Sequence, residues 1–286
     1  MPDVYQIVTD RVMAALEMEE VPWQRPWCCF NGGAYNRVSG KHYSLINQML
    51  LTHTGEYATF KQWTELGGKV RKGEKGEMVV FFKWPDQKED SQTEDNKEET
   101  QEYDRSRKPV LRYYKVFHIS QVDGVEPLER QIPVYSSDPI AIGEEVFWNY
   151  IRREGIRVEL EPSNEAYYSP SRDLIHLPEL RQYKDPAGFY STAFHEAAHS
   201  TGHETRLARA GLKKASFGSE IYSKEELTGE ITAAALMNTL GIENDHSIQN
   251  SSAYICGWLK ALQNDRRLIV QAAGQAEKAV NMILNM

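Results

Sequence analysis

The stretch FHEAAHSTGH, Phe194–His203, contains the pattern His-Glu-x-x-His. His195 and His199 are four residues apart, so on an α-helix both imidazoles project from one face, about one turn apart. Glu196 lies about 100° further round that helix, where its carboxylate can hold a water molecule beside a metal. Zinc hydrolases use this arrangement, and the glutamate passes a proton from water to the leaving amine. Chance also produces such matches, so the rest of the chain must supply the remaining parts of a site.

A catalytic zinc site needs a third protein ligand, and the better source is the segment SKEELTGEITAAALMNTLG. His203 is nearer in sequence, but a continuous helix would place it about 12 Å from His195. Glu226 and Glu230 share one apolar face of a predicted helix, where a carboxylate needs a metal, a histidine or a cation. We therefore predict Glu226 as the ligand and Glu230 as the carboxylate that orients a ligating imidazole. Glu225 and Glu230 remain alternative ligands, and ordinary solvated helix charges remain the alternative to all three.

The bulk composition excludes several classes of protein. The chain has 286 residues, enough for two domains that each bury a core, and no apolar run is long enough to span a bilayer. The N-terminal segment carries acidic residues where a secretory signal carries basic ones. Cys28 and Cys29 are adjacent and Cys256 is alone, which gives neither a disulfide framework nor a CxxC metal site. We expect a cytoplasmic protein with no membrane partner.

The net charge of −8 is distributed unevenly along the chain. Residues 86–104 contain nine acidic residues and two lysines, a net −7, and this composition predicts a mobile hairpin tip or insertion. Residues 25–83 contain nine basic residues and four glutamates, a net +5. A bound nucleic-acid strand responds to the local charge, so the negative total does not exclude DNA binding by the N-terminal half.

Hydrophobic periodicity predicts an α+β fold. Helical patterns cover the first twenty residues, the His-Glu-x-x-His segment, Ser223–Leu240 and the region after Ser252. Strand patterns cover EMVVFFKW and VLRYYKVFHI in the first half, and IRVEL, AYYS and DLIHL in the second. DLIHL, Asp173–Leu177, is either the edge strand along which a peptide substrate lies or an ordinary sheet strand. Tyr168 and Tyr222 are candidate donors to an oxyanion.

Four segments of the second half together resemble one known family. They are YYSPSRDLIHLPELRQY, YSTAFHEAAHSTGHETRL, FGSEIYSKEELTGEITAAAL and SAYICGWLKALQNDRRLIVQAAGQAEKAVNMIL. They are similar to the zincin-like metallopeptidase domain of ArdC-type antirestriction proteins of conjugative plasmids, integrative elements and phages. The resemblance implies a gluzincin-like site holding one Zn²⁺, with His195, His199 and a helical glutamate as ligands and Glu196 as base. Ala197 stands where the family usually has a larger residue.

The first half interleaves aromatic with basic and amide side chains, in VPWQRPW, NRVSGKHYSLIN and FKQWTELGGKVRKGEKGEMVVFF. That composition suits a groove that stacks unpaired bases, although such tryptophans are more often core residues. Together with RYYKVFHISQVDGV, these blocks resemble the N-terminal domain of ArdC-like proteins, which is associated with binding of single-stranded DNA. The candidate contacts that follow are Arg25, Arg37, Lys41, Tyr43, Asn47, Lys61, Trp63, Arg71, Lys72 and Lys75.

The combined prediction is a two-domain antirestriction-type protein. Residues 1–130 form a mixed α/β domain that binds single-stranded DNA, with an acidic mobile insertion at 86–108, and residues 136–286 form a zincin-like, gluzincin-type metallopeptidase domain. Its partners are single-stranded DNA and an unidentified protein or peptide substrate. Two alternatives stay open. One is a DNA-binding protein with a structural zincin domain, and the other is a DNA-dependent protease of the SprT-like kind.

Overall fold

The computed structural model describes residues 3–18, 20–24, 33–83, 110–128, 139–183, 185–209, 220–242 and 251–286. The predicted acidic insertion and Arg25 lie outside these ranges, and so do Cys28 and Cys29. The described part is a mixed α/β structure with an N-terminal sheet and a C-terminal half of a short sheet followed by helices. The predicted α+β class is therefore confirmed.

A four-stranded sheet in the order β1-β2-β5-β4 forms the N-terminal half. Its strands are β1 (Ala34–Asn36), β2 (Gly55–Thr59), β4 (Glu77–Lys83) and β5 (Val110–His118). β1 and β2 are parallel, and the other pairs are antiparallel. The two strands predicted here are β4 and β5, and β4 lies at one edge. A second, two-stranded sheet pairs β3 (Lys69–Val70) with β6 (Val122–Asp123).

Three helices accompany these sheets: α1 (Val4–Glu17), α2 (Leu45–Leu50) and α3 (Phe60–Glu65). Asp3 caps α1 by accepting a hydrogen bond from the backbone N–H of Tyr5. The apolar residues of α1 recur at helical spacing, so Val8, Val12 and Leu16 are buried along one stripe. α1 therefore presents a continuous apolar face to the rest of the molecule.

The C-terminal half begins with α4 (Pro139–Glu154) and a three-stranded sheet in the order β7-β9-β8. The strands are β7 (Arg157–Glu161), β8 (Tyr167–Ser169) and β9 (Leu174–Pro178). β9 pairs with β7 on one side and with β8 on the other, so it is the central strand. Of the two interpretations of Asp173–Leu177, the ordinary sheet strand is the one observed, since β9 is paired on both sides and its backbone is not open to a peptide.

Within its described residues, the rest of the chain forms four further α-helices: α5 (Pro186–Thr201), α6 (Glu220–Leu240), α7 (Ser251–Asn264) and α8 (Leu268–Leu284). α5 packs on α6, and α6 packs on α8. No helix within the described ranges is both long and apolar enough to cross a membrane. These packed helices hold the residues of the predicted metal site.

One hydrophobic core runs across the boundary that the sequence predicts near residue 130. It contains residues of α1, α2 and β4 together with residues of α5, α6 and α8. Trp23 packs edge-on against Trp258 of α7, with ring centroids 5.1 Å apart. Packing therefore joins the two halves of the described chain into one unit.

Candidate metal centre

α5 holds the His-Glu-x-x-His pattern in a well-defined helix. Asp185 caps it by accepting from the backbone N–H of Gly188 at 2.8 Å, and a proline occupies its first turn. The inner face of α5 consists of small and aromatic residues that are buried in the core. This packing fixes the rotation of the helix about its axis. His195 and His199 lie on one face with ring centroids 4.7 Å apart, as the spacing predicts.

The two imidazoles meet a carboxylate of α6. Their Nε2 atoms are 3.0 Å apart, and Glu226 places one oxygen 3.7 Å from the Nε2 of His195 and the other 3.5 Å from that of His199. One ligand atom from each of the three residues lies within 4.8 Å of the others. This is the trio that the sequence predicts, and two nitrogens with one oxygen match the donor set of a catalytic zinc site.

Gly229, one turn after Glu226 on α6, leaves room for this cluster. A β-carbon at Gly229 would lie 3.0 Å from the Cε1 of His195, and 3.1 Å and 3.2 Å from the Cε1 and Nε2 of His199. Glycine inside a helix costs about 1 kcal/mol relative to alanine, so its presence here calls for a reason. The close approach of both rings supplies one, and the residues present fit a bound metal. Sequence reasoning missed Gly229, although a glycine three residues after a candidate ligand was a usable signal.

Charge at the cluster favours a cation. Burial lowers the pKa of His195, but the neighbouring carboxylates of Glu226 and Glu230 outweigh burial and raise the pKa to about 10. A site that holds a proton this strongly has a surplus of negative charge, and a divalent metal ion neutralises that charge.

Two more carboxylates lie on the opposite sides of the imidazole rings. Glu230 lies 3.6 Å from the Nδ1 of His195, and Glu225 lies 3.2 Å from the Nδ1 of His199. Glu230 thus stands where the sequence places an orienting carboxylate. The sequence also allows Glu225 or Glu230 as the third ligand. In the structure both carboxylates face Nδ1 atoms, whereas Glu226 faces the point where the two Nε2 atoms converge.

Arg209 is a buried partner of Glu225 that sequence reasoning missed. Its Nε donates to the two carboxylate oxygens of Glu225 at 3.2 Å and 3.0 Å. Burial raises the pKa of Glu225, but the hydrogen bonds from His199 and Arg209 outweigh burial and lower the pKa to about 2. Glu225 therefore stays ionised, as a carboxylate must to accept from both groups.

The predicted base, Glu196, is buried beside the two ligands on α5. Tyr183 lies close enough to be affected by its charge. Burial raises the pKa of Tyr183, a hydrogen bond with Thr192 opposes this, and the Glu196 carboxylate raises the pKa further. A buried carboxylate next to a metal-ligand cluster is suited to accept a proton from water.

The other candidates near the site have different roles. His203 follows the end of α5 and its Nδ1 contacts the Thr205 hydroxyl at 2.8 Å, so it is not part of the cluster. Tyr168 donates to Asp173 at 2.7 Å and accepts from Arg206 at 3.1 Å. Its hydroxyl is therefore committed to that pair, and the idea that it donates to an oxyanion is corrected. The side chain of Tyr222 lies outside the described residues.

Three of the candidate DNA contacts are core residues. Trp63 is fully buried, and its Nε1 donates to the carbonyl of Phe117 at 2.9 Å. Asn47 is buried and bonds both the N–H and the carbonyl of Val80, which satisfies the outer edge of β4. Tyr43 is buried, and its burial raises its pKa to about 12. The interpretation of these three as base contacts is corrected, because their side chains offer no surface to a base.

The remaining candidates are charged residues, and three of them form ion pairs with carboxylates. Arg37 forms an ion pair with the buried Glu56, and Arg71 pairs with Glu74 at 3.0 Å and with Asp123 at 3.3 Å. Lys61 pairs with Glu65 one turn along α3, at 3.7 Å. Lys41, Lys72 and Lys75 are exposed.

An exposed aromatic pair on β4 and β5 was missed. Phe81 is 41% exposed and Tyr114 is 47% exposed, and their rings pack edge-on with centroids 5.8 Å apart. Arg112 is the exposed residue directly opposite Phe81 in the strand register. Arg112 and Tyr114 are two residues apart on β5 and Phe81 is paired with Arg112, so all three side chains lie on one face of the sheet. The pairing of β4 with β5 had to be known before this group could be recognised in the sequence.

Comparison with known proteins decides the family. Residues 2–117 match the family described as the N-terminal domain of anti-restriction factor ArdC, and residues 146–275 match a zincin-like metallopeptidase family, MPTase-PolyVal. The crystal structure of the antirestriction ArdC protein from R388 plasmid, in its Mn(II)-bound form, superposes with a TM-score of 0.73. It is 32% identical, and the match covers 99% of this chain and 97% of that chain. The chain belongs to the ArdC family.

The metal-free structure of the same ArdC protein gives a TM-score of 0.72 at 33% identity, covering 98% of this chain and 96% of that chain. The protein y4eC of Sinorhizobium fredii (strain NBRC 101917 / NGR234) is 33% identical and is covered over 90% of its length. Two proteins called DNA primase TraC from Escherichia coli are 34% and 32% identical over 98% of this chain. The chain spans only 27% and 20% of the length of these two primases.

An ArdC-family chain with this trio therefore has a metal site in a zincin-like metallopeptidase domain. The R388 relative binds Mn(II), so the comparison does not distinguish zinc from other divalent metals.

Proposed function

We propose that this chain is an antirestriction-type protein that binds single-stranded DNA and hydrolyses peptide bonds with a zinc ion. The observation that carries the proposal is the convergence of His195, His199 and Glu226 beside the buried Glu196. Family membership supports the antirestriction role, since the R388 relative is described as an antirestriction protein. The proposed protein substrate is a host or DNA-bound protein that comes close to entering DNA.

Each residue of the centre has a distinct task in this proposal. His195, His199 and Glu226 bind the metal, which when bound polarises a substrate carbonyl and lowers the pKa of water. Zinc suits two imidazole nitrogens and one carboxylate oxygen, and this donor set is the basis for proposing zinc over manganese. Glu196 accepts the proton from water and passes it to the leaving amine. Glu230 and Glu225 keep the two imidazoles oriented.

An extended peptide is proposed to bind along β8, the three-residue strand Tyr167–Ser169. β8 is an edge strand among the described strands, and it packs against α5, which carries the histidines. Edge strands offer unpaired backbone groups to a peptide, which the central β9 cannot do. This proposal replaces the one that the sequence suggested for Asp173–Leu177.

The test of the peptidase proposal is a matched pair of variants. Glu196→Gln keeps the size of the side chain and the metal ligands but removes the base, so we expect zinc binding to persist while hydrolysis falls by at least about a hundredfold. His195→Ala should lose both zinc and hydrolysis. Zinc content is measured by elemental analysis, and hydrolysis with an unfolded protein substrate, with and without single-stranded DNA. Antirestriction is measured as DNA transfer into a restricting host.

The outcomes separate the candidate functions. Unchanged antirestriction in Glu196→Gln would contradict a peptidase mechanism and favour a DNA-binding protein with a structural zincin domain. Cleavage that requires single-stranded DNA and acts on any bound protein would favour the DNA-dependent protease.

The proposal of single-stranded DNA binding rests on different residues from those that the sequence suggested. Phe81 and Tyr114 expose aromatic rings that can stack unpaired bases, and Arg112 lies beside them to contact a phosphate. The exposed Lys41, Lys72 and Lys75 supply further positive charge on the same half. We retain these lysines, together with Arg37, Lys61 and Arg71, as secondary candidates.

Binding of a fluorescent oligothymidine tests this surface. Phe81→Ala and Tyr114→Ala should each weaken binding by about 1–3 kcal/mol, or roughly 5- to 160-fold. Tyr167→Ala is the matched control, because Tyr167 is an exposed tyrosine in the other half. Equal affinities for all three variants and the wild type would exclude β4 and β5 as the stacking surface.

A further inference from the structure

We propose that Arg209 is a positioning residue for the metal centre: acting through Glu225, it fixes the orientation of the His199 ring. Loss of Arg209 should therefore weaken metal binding although every ligand is still present. This inference rests on the metal site of the proposed function and adds to it a residue that touches neither metal nor substrate.

The contacts form an unbroken chain from Arg209 to the ligand atom. The Nε of Arg209 donates to Glu225 Oε2 at 3.0 Å, and Glu225 Oε1 lies 3.2 Å from the Nδ1 of His199. A second nitrogen of Arg209, Nη2, also donates to Oε1. Two parallel hydrogen bonds from a planar guanidinium hold a carboxylate in one plane, and a lysine cannot do this.

The other end of the guanidinium is attached to the helix that carries both histidines. Nη1 donates to the Thr201 hydroxyl at 2.6 Å, and Nη2 donates to the carbonyl of Ala198 at 2.7 Å. The backbone N–H of Arg209 donates to the carbonyl of Gly202 at 3.0 Å, just after the last turn of α5. A cation there also interacts favourably with the carbonyl end of the helix. Arg209 thus ties the end of α5 to Glu225 on α6.

The two histidines are held unequally, which makes the inference specific. The side chain of Glu225 is 9% exposed and is fixed by Arg209, whereas that of Glu230 is 31% exposed and lies 3.6 Å from His195. Solvent competes for Glu230 far more than for Glu225. We therefore expect the orientation of His199 to depend on its carboxylate partner more strongly than that of His195 does.

Zinc affinity of the full chain is the first measurement, made by competition with a chromophoric chelator. Arg209→Met should weaken zinc binding by about 10- to 100-fold, the range seen when a partner of a ligating histidine is lost. Arg209→Lys keeps the charge without the planar fork, so it should recover only part of that loss. Arg206→Met is the matched control, because it removes another buried arginine of the same loop, one that contacts Asp173 and Tyr168 and not Glu225 or His199. Its zinc affinity should stay within about threefold of the wild type.

The ring of His199 gives a second measurement that needs no metal. In nitrogen-15-labelled wild type and in Arg206→Met, the Nδ1 of His199 should carry its proton in a single tautomer, because Glu225 accepts it. In Arg209→Met and Arg209→Lys we expect a mixture of tautomers and a weaker, faster-exchanging Nδ1–H signal. If Arg209→Met does not fold, Arg209→Lys decides both measurements.

The results separate this inference from the proposed function. A folded Arg209 variant with wild-type zinc affinity and one His199 tautomer would overturn the positioning role and leave the peptidase proposal intact. Wild-type protein that binds zinc but hydrolyses no peptide would contradict the peptidase proposal while the positioning role stands. Wild-type protein that binds no zinc would contradict the zinc proposal, and the tautomer comparison would still decide the role of Arg209.

Discussion

Replacing Gly229 by alanine should weaken metal binding while leaving the helix at least as stable as before. The added β-carbon would lie 3.0 Å from the Cε1 of His195 and 3.2 Å from the Nε2 of His199. Carbon atoms pack comfortably at about 3.5–4.0 Å, so each ring must move by several tenths of an ångström. Both rings carry ligand atoms, and the Nε2 of His199 is itself one of the crowded atoms.

The two effects of this substitution have opposite signs, which lets one variant separate them. Alanine in place of a helical glycine stabilises a helix by about 0.8–1 kcal/mol. Displacing ligand atoms that must point at one metal should cost about 1.4–2.8 kcal/mol of binding free energy, comparable to losing a partner of a ligating histidine. We therefore expect zinc affinity to fall by about 10- to 100-fold with no loss of stability in chelator.

The assay compares Gly229→Ala with a matched substitution elsewhere. Gly274 is an exposed glycine inside α8, and a β-carbon there would meet no other atom within 4 Å. Gly274→Ala should stabilise the protein by the same helix effect and leave zinc affinity unchanged. Zinc affinity is measured by chelator competition, and stability by urea unfolding with excess chelator. Equal zinc affinities in the two variants would refute the idea that Gly229 makes room for the cluster.

Two further predictions concern stability. Asp173 pairs with the buried Arg206; burial raises the pKa of Asp173, but the hydrogen bond from Arg206 outweighs it and lowers the pKa. The pairing therefore stabilises the fold above the ordinary pKa of about 3.9 and is lost as pH falls through the lowered value. Asp173→Asn, which tolerates the same positive φ, should cost about 2 kcal/mol at pH 7 and lose less stability on acidification in urea unfolding. Asn47→Ala leaves both backbone groups of Val80 unpaired and should cost about 2–4 kcal/mol, against less than about 0.5 kcal/mol for the exposed Lys72→Ala. Equal costs for the last two variants would mean that Asn47 has no structural role.

The site could be predicted from sequence to the extent that it depends on helical spacing. His195 and His199 are one turn apart, and the apolar stripe beside Glu226 marks a buried helix face, so local periodicity places all three. Glu230 follows from the same stripe. Each of these placements needs only the geometry of the one helix that carries the residue, α5 or α6, and the requirement that buried carboxylates be paired.

Residues that depend on tertiary contacts could not be found in this way. Arg209 lies in a loop after α5 and gains its role only because α6 brings Glu225 next to it. Composition also cannot separate an aromatic residue that stacks a base from one that fills a core, since both need large apolar rings. Trp63, a predicted DNA contact, is fully buried, whereas Phe81, which was not among the candidates, is 41% exposed, and only burial distinguishes the two.

Strand order is the third limit. The sequence predicts the strand at β9, but whether a strand is central or at the edge depends on which other strands pair with it. Here β8, which comes earlier in the chain, pairs with one side of β9, and β7 pairs with the other. Neither pairing can be recognised from the order of apolar and polar side chains along the strand itself.

The shared hydrophobic core limits where recombination can divide a gene that encodes such a chain. Both TraC primases align with 98% of this chain, although the matched part makes up only 27% and 20% of their lengths. A recombination event that kept only one half would separate α1 and Trp23 from α7 and α8. The apolar helix faces that are buried in this core would then be exposed to solvent and would promote aggregation. Selection should therefore remove such recombinants, so that this module is inherited whole even when its host protein is several times longer.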